Sequence, residues 1–412
     1  MERTILHIDL NNFYASVECL YNPALKKVPV AVCGDVEARH GIVLAKNYPA
    51  KYLGVKTGEA IWQAKRKAKN LVIVPPDFRK YLRFSQMARA IYADYTDQIE
   101  PFGIDEAWLD VSGSKSLFGN GETIADIIRK RMKEEIGLTV SVGVSFNKIF
   151  AKLGSDMKKP DATTIITKDN FKTKVWPLNV GDLLYVGRAT KNKLLNRVIL
   201  TIGDLAKSDV KNLKAILGIW GETLWLFANG YDTSPVRKMT ENSIIKSVGN
   251  STTTVRDLCN IDDVKIVVYV LAESIGARLR QHGLKCSTVA ITVRNNELVS
   301  FDRQCKLEVP TQNANDIAKK AIDLFKNNYT WQKEIRGIGI RGTDLVAETD
   351  NLQLDLFAYG KEQQEKLDKV IDSIRYRFGH DALTRACMLM DKELSGFNPK
   401  DDHVIHPVSF FK

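Results

Sequence analysis

The sequence predicts an α+β protein of several domains, containing two units with the element order β-α-β-β-α-β. Three observations lead to this prediction. The chain has 412 residues, which is enough for two to four domains. Short apolar runs bounded by Gly, Pro and Asp alternate with stretches of helical periodicity. The same succession of strands and helices occurs twice, within 4–166 and again within 246–345.

In the first repeat, the run TILHID (4–9) predicts a buried strand, and 11–20 predicts a helix capped by an asparagine. An insertion at 21–76 carries three short apolar strands and a lysine-rich helix. The first strand of such a unit lies beside the middle hairpin, so Asp9 is expected close to Asp105 and Glu106. The remaining predicted elements are a helix (81–95), a hairpin (101–113), a helix (122–136), a strand (138–146), a helix (147–157) and the strand TTII.

The region from 166 to 240 is predicted to be mostly helical. Its hairpins at 186–206 and 217–230 can aim backbone N–H groups at a phosphate, although a plain helical hairpin fits either one equally well. The second repeat follows, and after residue 350 the pattern predicts one more helix. The predicted elements here are a strand (246–254), a helix (262–282), two strands, a helix (315–326), a strand and the helix at 361–378.

Positive charge is concentrated in two segments of the chain. The net charge is +11, with +7 within 21–76 and +6 within 166–240, whereas 241–350 is nearly neutral. Lysine and arginine release counterions when they meet phosphates, so this distribution indicates a polyanionic partner.

Several classes of protein are excluded by composition. No apolar run approaches the roughly 20 residues of a membrane-spanning helix, and the N-terminus lacks the features of a signal peptide. We therefore expect a cytoplasmic protein with no membrane partner. The six cysteines are scattered without a C-x-x-C pair, which argues against a zinc site or a disulfide framework.

Three carboxylates form the candidate catalytic centre. Asp105 and Glu106 lie at the bend of the predicted hairpin, and Asp9 ends the first strand. Clustered carboxylates raise one another's pKa, and divalent cations offset that cost. Mg²⁺ prefers oxygen ligands, and two ions about 3.5–4 Å apart can stabilise a phosphoryl displacement. Taken alone, an Asp-Glu pair at a hairpin bend is more often a solvated turn.

The chain resembles the Y-family, lesion-bypass DNA polymerases over about residues 1–350. The segment at 47–58 is closest to the polymerase IV branch, whereas Asn11 and Tyr14 are also similar to the UV-mutagenesis branch, so the branch stays open. The matching motifs occur in family order: HIDLNNFYASVE (7–18), NYPAKYLGVKTG (47–58), FGIDEAWLD (102–110), VSFNKIFAKLGSDMKKPDATT (144–164) and TIGDLA (201–206).

The resemblance implies a right-hand polymerase with a ferredoxin-like palm, small fingers, a helical thumb and a second β-α-β-β-α-β domain, the little finger. The expected boundaries are palm 1–20 and 77–165, fingers 21–76, thumb 166–232, linker 233–245, little finger 246–348 and a C-terminal tail 349–412.

The resemblance also implies the roles of individual residues. Asp9 and Asp105 bridge two Mg²⁺ ions, the Leu10 carbonyl is a backbone ligand, and Glu106 holds the ion at the primer 3′-hydroxyl. Tyr14 is the steric gate, whose ring fills the space of a ribose 2′-hydroxyl. The residues implied to contact the incoming triphosphate are Tyr48, Lys51 and Lys159, with the backbone amides near Asn12 and Phe13.

The sequence departs from the family pattern at two triphosphate positions. Lys51 replaces the usual arginine and loses its bidentate geometry, and Ala45 replaces a threonine hydroxyl. Ile42 and Leu44 are bulky, so we expect very bulky lesions to fit poorly. The positions implied to roof the nascent base pair are Gly34, Ile42, Leu44 and Gly58.

A short peptide in the tail resembles the clamp-binding pentapeptide of bacterial replication proteins. It is QLDLF, whose leucine and phenylalanine side chains can fill an apolar pocket of a sliding clamp. The alternative is an internal strand packed on the last domain. About 55 residues follow it, which either fold back on the protein or bind another partner. The residues are Gln353, Leu354, Asp355, Leu356 and Phe357.

The function implied by the resemblance is low-fidelity DNA synthesis across damaged template, by a monomer that uses primer-template DNA and deoxynucleoside triphosphates (dNTPs). The primer 3′-oxygen attacks the α-phosphate, and pyrophosphate leaves. No segment remains for a proofreading exonuclease. Two alternatives share the acidic cluster, namely another two-metal palm enzyme such as a nucleotide cyclase, and a non-catalytic protein derived from a polymerase.

Overall fold

The structure, a computed structural model, describes residues 3–35, 41–241, 244–348 and 361–399. They form two compact units. The first unit contains residues 3–34 and 42–241, and the second consists mainly of residues 244–348 and 361–399.

The first unit contains both sheets and helices. Its strands are β1 (Ile5–Leu10), β2 (Val30–Cys33), β3 (Val43–Lys46), β4 (Val72–Val74), β5 (Ile99–Pro101), β6 (Glu106–Asp110), β7 (Val140–Ser145) and β8 (Thr163–Ile166). Its helices are α1 (Phe13–Tyr21), α2 (Tyr48–Tyr52), α3 (Ile61–Lys67), α4 (Phe78–Ala93), α5 (Lys115–Phe118), α6 (Gly121–Arg131), α7 (Lys148–Met157), α8 (Phe171–Lys174), α9 (Arg188–Leu195), α10 (Ile202–Lys207), α11 (Val210–Leu217) and α12 (Ile219–Ala228).

The main sheet has the strand order β5-β6-β1-β7-β8. Strand β1 pairs antiparallel with β6 on one side and with β7 on the other, and β8 extends the sheet in parallel with β7. This confirms the predicted ferredoxin-like arrangement, in which the first strand lies at the centre beside the middle hairpin.

Alternation along β1 decides which side chains enter the core and which reach the site. Leu6, Ile8 and Leu10 are buried in the large core formed with α1, α4 and α6. Successive strand side chains point to opposite faces, so His7 and Asp9 lie on the other face, where α7 packs. Their contacts with side chains of α7 are described below.

Helix α7 packs unusually close to the sheet at Gly143 of β7. A Cβ atom at this position would lie 1.9 Å from the carbonyl oxygen of Ala151 and 2.5 Å from the backbone nitrogen of Ser155. Only glycine therefore permits this approach, which brings the side chains of α7 to the centre of the sheet.

The insertion forms a small sheet of its own, with the order β3-β2-β4. Helices α2 and α3 cover it around a core that includes Ala31, Val43 and Ile61. Helices α8 to α12 pack with α7 around Phe150, Leu194 and Leu224. The resemblance implies that the small sheet with α2 and α3 is the fingers and that the helices α8 to α12 are the thumb.

The second unit repeats the β-α-β-β-α-β element order with a different sheet topology. Its sheet has the order β11-β10-β12-β9, so the first strand of this unit is an edge strand, whereas β1 is central in the first unit. The elements are β9 (Ser247–Leu258), α13 (Ile261–Gln281), β10 (Leu284–Asn295), β11 (Ser300–Thr311), α14 (Ala314–Asn328), β12 (Ile335–Ala347), α15 (Lys361–Phe378) and α16 (Lys392–Ser395).

The described tail folds back on the second unit rather than leaving it. Glu273 of α13 is 7% exposed, and it pairs with Arg375 at 2.8 Å and with Arg385 at 2.5 Å. Arg280 contacts Asp372 at 2.6 Å, and Leu394 of α16 joins the apolar core. This answers, for residues 361–399, the question that the sequence left open.

One local expectation needs correction. Helix α1 begins at Phe13, and its N-cap residue Asn12 is left-handed (φ 49°) and makes no side-chain capping bond. The side chain of Asn11 instead bonds Ser141 and the backbone of Asp161. Within the segment expected to be a linker, Val236 is buried beside Ile5, Trp108 and Ala151.

No helix in the described ranges is both long and apolar enough to span a bilayer.

Candidate active site

The three predicted carboxylates meet at one end of the main sheet. Asp9 of β1 lies directly opposite Glu106 of β6 in the antiparallel register. The backbone nitrogen of Leu10 donates to the carbonyl oxygen of Asp105 at 3.0 Å. The hairpin therefore carries its two acids to Asp9 across a gap of about a hundred residues in the sequence, as the topology predicts.

Two lysines compensate part of this negative charge. Lys152 Nζ lies 2.5 Å from Glu106 Oε2 and 3.6 Å from Asp9 Oδ2. Lys159 Nζ lies 2.8 Å from Asp9 Oδ1. Both lysines also contact Asp156, at 3.2 Å and 2.9 Å. Among the described side chains, Asp105 forms no such ion pair.

A buried histidine supports Glu106 from the other side. His7 is fully buried; its Nε2 lies 3.2 Å from Glu106 Oε2, and its Nδ1 lies 2.8 Å from Ser155 Oγ. Burial lowers the pKa of His7, so the imidazole is neutral near pH 7. Ser155 Oγ donates to the carbonyl oxygen of Lys152 at 2.7 Å, so the buried His7 ring links Glu106 to helix α7.

The environment separates the pKa values of the three acids. Burial, together with the charges of Glu106 and Asp9, raises the pKa of Asp105 to about 7. Burial also raises the pKa of Asp9, although Lys159 and Lys152 oppose the shift. For Glu106 burial acts in the same direction, but the hydrogen bond from His7 and the charge of Lys152 outweigh it and lower the pKa to about 2.

The donor set fits a divalent cation that prefers oxygen. Asp105 is a half-buried carboxyl with two acids beside it and no lysine or arginine partner in the described part of the chain, so its ionisation is costly until a cation binds. No three His, Cys, Asp or Glu side chains within the described ranges are already arranged as a metal cluster. Asp9 and Glu106 instead contact the ammonium groups of Lys152 and Lys159, which is a physical reason why the acids are not arranged around an ion.

The steric-gate candidate is held in place by aromatic packing. The ring of Tyr14 stacks on Tyr81, with centroids 4.3 Å apart and planes within 8°, and it contacts Phe78 edge-on. Tyr81 is fully buried and donates to Glu18 at 2.8 Å. Burial and the charge of Asp105 raise the pKa of Tyr14 to about 12.

The predicted triphosphate residues come from three different elements. Tyr48 and Lys51 lie on α2, with Lys51 Nζ 5.5 Å from the centroid of the Tyr48 ring. Burial raises the pKa of Tyr48, and the charges of Lys159 and Asp9 also act on its hydroxyl. At the start of α1, the side-chain nitrogen of Asn12 is buried and makes no hydrogen bond.

Of the four roof positions, Leu44 lies on strand β3 of the small sheet, Gly34 directly follows β2, Ile42 directly precedes β3, and Gly58 lies in the turn before α3. The nitrogen of Gly34 donates to the carbonyl of Ile42 at 3.2 Å, and the nitrogen of Gly58 donates to Val43 at 2.8 Å. Ile42 is 44% exposed, and Leu44 is half-buried. The clamp peptide, Gln353 to Phe357, lies outside the described residues.

Sequence reasoning missed four residues of the site: His7, Tyr81, Lys152 and Asp156. A signal existed for three of them. Lys152 and Asp156 are four residues apart and therefore share one face of the predicted helix. His7 and Asp9 are two residues apart along the strand, which places both side chains on one face. Nothing in the sequence connects Tyr81 with Tyr14 across 67 positions.

The chain is similar to known proteins over most of its length. Residues 8–156 match the impB/mucB/samB family, and residues 245–356 match its C-terminal domain. A DNA polymerase IV of Acetivibrio thermocellus is 54% identical over 397 residues, covering 96% of this chain and 100% of that relative. DNA polymerase IV 1 of Bacillus subtilis is 38% identical, covering 95% and 94%. A solved Y-family DNA polymerase chimera superposes with a TM-score of 0.73 at 24% identity, covering 84% of this chain and 99% of that one.

Proposed function

The chain belongs to the impB/mucB/samB family, as a Y-family DNA polymerase of the polymerase IV branch, and from this premise we propose how its site works. It is a DNA-directed DNA polymerase that acts in translesion synthesis. The proposed reaction joins a dNTP to the primer 3′-hydroxyl with the help of two Mg²⁺ ions and without proofreading.

The observation that carries the proposal is the meeting of Asp9, Asp105 and Glu106 at one end of the sheet. Asp9, Asp105 and the Leu10 carbonyl would hold the ions, and Glu106 would serve the one that activates the primer hydroxyl. When bound, such ions stabilise the charge that develops on the attacking and leaving oxygens. The raised pKa of Asp105 supports this assignment, because a cation is what favours its ionised form.

We propose that the chain's own cations and backbone amides orient the triphosphate. Tyr48 and Lys51 supply a hydroxyl and an ammonium group on α2, and Lys159 supplies a second ammonium group at Asp9. The first turn of α1 adds backbone N–H groups at Asn12 and Phe13, where no side chain caps the helix. The unbonded side-chain nitrogen of Asn12 supports an acceptor at this place.

Sugar discrimination is assigned to Tyr14. The ring is stacked on a fully buried tyrosine and cannot rotate away without losing that contact. A ring held rigidly in this way excludes a 2′-hydroxyl by steric overlap, whereas a mobile ring would move aside.

The roof residues set the size of lesion that fits. Ile42 and Leu44 add apolar bulk to a small sheet, so we propose that very bulky adducts fit poorly. Efficient primer extension past a large aromatic adduct would contradict this proposal.

The proposed partners are primer-template DNA, dNTPs and, through residues 353–357, a bacterial sliding clamp. The basic segments at 21–76 and 166–240 supply charge for the DNA backbone. We propose that the protein works as a monomer at the nucleoid, where its template is.

Primer extension on undamaged and damaged templates tests the proposed function. The double variant Asp105→Ala/Glu106→Ala is expected to lose extension by about a thousandfold or more, since both acids are assigned to the ions. It should still bind primer-template in a fluorescence anisotropy assay. The matched control is Glu134→Ala/Glu135→Ala, another adjacent acidic pair, which lies on the helical surface after α6.

Two results would count against the proposal. Extension by the double variant at the wild-type rate would remove these acids from the reaction. Excision of a mismatched 3′-nucleotide by the purified chain would contradict the absence of proofreading.

A further inference from the structure

Lys152 lies in the middle of the acidic cluster although no motif assigns it a role. Its ammonium nitrogen is within 4 Å of three carboxylates, namely Glu106 at 2.5 Å, Asp156 at 3.2 Å and Asp9 at 3.6 Å. The side chain is only 13% exposed. A lysine so placed is fully charged and acts as a fixed cation of the site.

The position of this ammonium conflicts with the ions of the proposed function. Mg²⁺ binds carboxylate oxygens at about 2.0–2.1 Å, so an ion on Glu106 Oε2 and an ammonium at hydrogen-bond distance compete for the same oxygen. Withdrawal of the ammonium from that oxygen relieves the competition. In the metal-free protein Lys152 neutralises the negative charge of Glu106 and Asp9, and the same contact weakens the binding of an ion there.

Asp156 supplies a place for the displaced ammonium. It lies one helical turn after Lys152 and is 47% exposed, and it already contacts Lys152 through Oδ2 and Lys159 through Oδ1. Each lysine is thus shared between an acid of the site and this outer acid. Withdrawal breaks the bond to Glu106 and retains the bond to Asp156.

We propose that Lys152 is a built-in counter-ion that occupies the cation-binding edge of Glu106 and Asp9 in the metal-free protein, with Asp156 holding its ammonium after a divalent ion enters. Lys152 is then a positioning residue. The inference rests on the proposed function. Its consequence is weak divalent binding by the free protein, with tight binding only when triphosphate oxygens add their negative charge.

Binding of Mn²⁺ to the full chain, without DNA or nucleotide, tests the proposal. The signal of free Mn²⁺ in electron paramagnetic resonance is followed during a titration of the wild type, Lys152→Met and Lys152→Arg. Methionine keeps the length and removes the charge, so Lys152→Met is expected to bind Mn²⁺ about tenfold more tightly or better. Lys152→Arg should bind like the wild type.

Lys148→Met is the matched control. Lys148 lies one turn earlier on the same helix, and its side chain is 11% exposed and paired with Glu100 at 2.7 Å, away from the three acids. A general effect of removing a positive charge would tighten Mn²⁺ binding in both variants, whereas displacement tightens it only in Lys152→Met. Wild-type affinity in a folded Lys152→Met, or equal gains in both variants, overturns the proposal.

Asp156→Asn gives a second, independent measurement. Without its outer partner, Lys152 stays on Glu106, so Mn²⁺ binding should weaken severalfold in the wild-type background. The same substitution should have a smaller effect when Lys152 is already methionine. Equal effects in both backgrounds show that Asp156 does not act through Lys152 and overturn its role.

Asp105→Asn separates failure of this inference from failure of the proposed function. If Asp105→Asn abolishes Mn²⁺ binding and Lys152→Met leaves it unchanged, the metal site stands and the role of Lys152 is wrong. If Asp105→Asn leaves binding intact, the ions lie elsewhere, and both proposals fall.

Discussion

Asp105→Asn should make the metal-free protein more stable at neutral pH while abolishing its activity. Asparagine has the same shape as a protonated aspartate but cannot ionise. The structure places Asp105 among Glu106 and Asp9 without a cationic partner in the described part of the chain, and its pKa rises from 3.8 to about 7. The substitution therefore removes an unfavourable charge together with a proposed metal ligand.

The size and the pH range of this effect follow from the same pKa. An acid whose pKa is higher in the folded state than in the unfolded state favours folding while it is protonated. This contribution to stability is fully present below pH 3.8 and is lost as the pH rises to about 7. Each pH unit in that window costs about 1.4 kcal/mol, so the free energy of unfolding falls by about 4 kcal/mol in all. Between pH 5 and pH 7, the advantage of Asp105→Asn should grow by about 2–3 kcal/mol.

Urea unfolding in EDTA, at pH 5, 6, 7 and 8, measures this difference for the wild type and Asp105→Asn. Adding Mg²⁺ at pH 8 should stabilise the wild type and have little effect on the variant. The control is Asp126→Asn, an exposed aspartate on α6 that pairs with Arg129, whose effect should be small and nearly constant over this range. A difference between wild type and Asp105→Asn that does not change from pH 5 to pH 8 would refute the account of Asp105.

Three further predictions concern the gate, the sheet and the tail. Tyr14→Ala should lower discrimination against ribonucleotides at least about tenfold in single-nucleotide incorporation. The control Tyr14→Phe keeps the ring and should keep the discrimination. Unchanged selectivity in Tyr14→Ala would contradict the gate role. Gly143→Ala should lower the free energy of unfolding by about 3 kcal/mol or more, because its Cβ would meet backbone atoms of α7, whereas Gly113→Ala, with open space around it, should change little. Glu273→Gln should lower the free energy of unfolding by about 1–3 kcal/mol and expose α15 to protease, because two arginines lose their buried partner. The control Asp262→Asn removes an exposed pair with Lys265 and should lower it by less than about 0.5 kcal/mol. Protease resistance of Glu273→Gln equal to that of the wild type would contradict the docking role.

Much of the first unit could be predicted because its signals are local. Apolar runs gave the strands β1, β6 and β7, and the β-α-β-β-α-β rule then placed Asp9 beside Glu106. The helix predicted at 361–378 has the same bounds as α15. Element order did not predict the sheet of the second unit, because the same order is compatible with β9 at an edge or at the centre.

Side-chain contacts across the fold were the part that the sequence did not reveal. The cap expected from an asparagine failed, because Asn12 adopts a left-handed conformation and Asn11 bonds Ser141 on a strand 130 positions away. The stacking of Tyr14 on Tyr81 likewise depends on how α1 and α4 pack, which no periodicity encodes. Contacts of this kind decide whether a gate is rigid, and they require coordinates.

The lysines of the site explain why three clustered acids are compatible with a stable fold before any cation binds. Uncompensated, Asp9, Asp105 and Glu106 would repel at short range in a partly buried place. Lys152 and Lys159 neutralise two of them, and the third stays protonated up to about pH 7. Folding and catalysis thus make opposite demands on the same oxygens, since folding favours a proton and two ammonium groups there and nucleotidyl transfer needs divalent ions. Asp156 lies where it can reconcile the two demands, because it contacts both ammonium groups from outside the cluster.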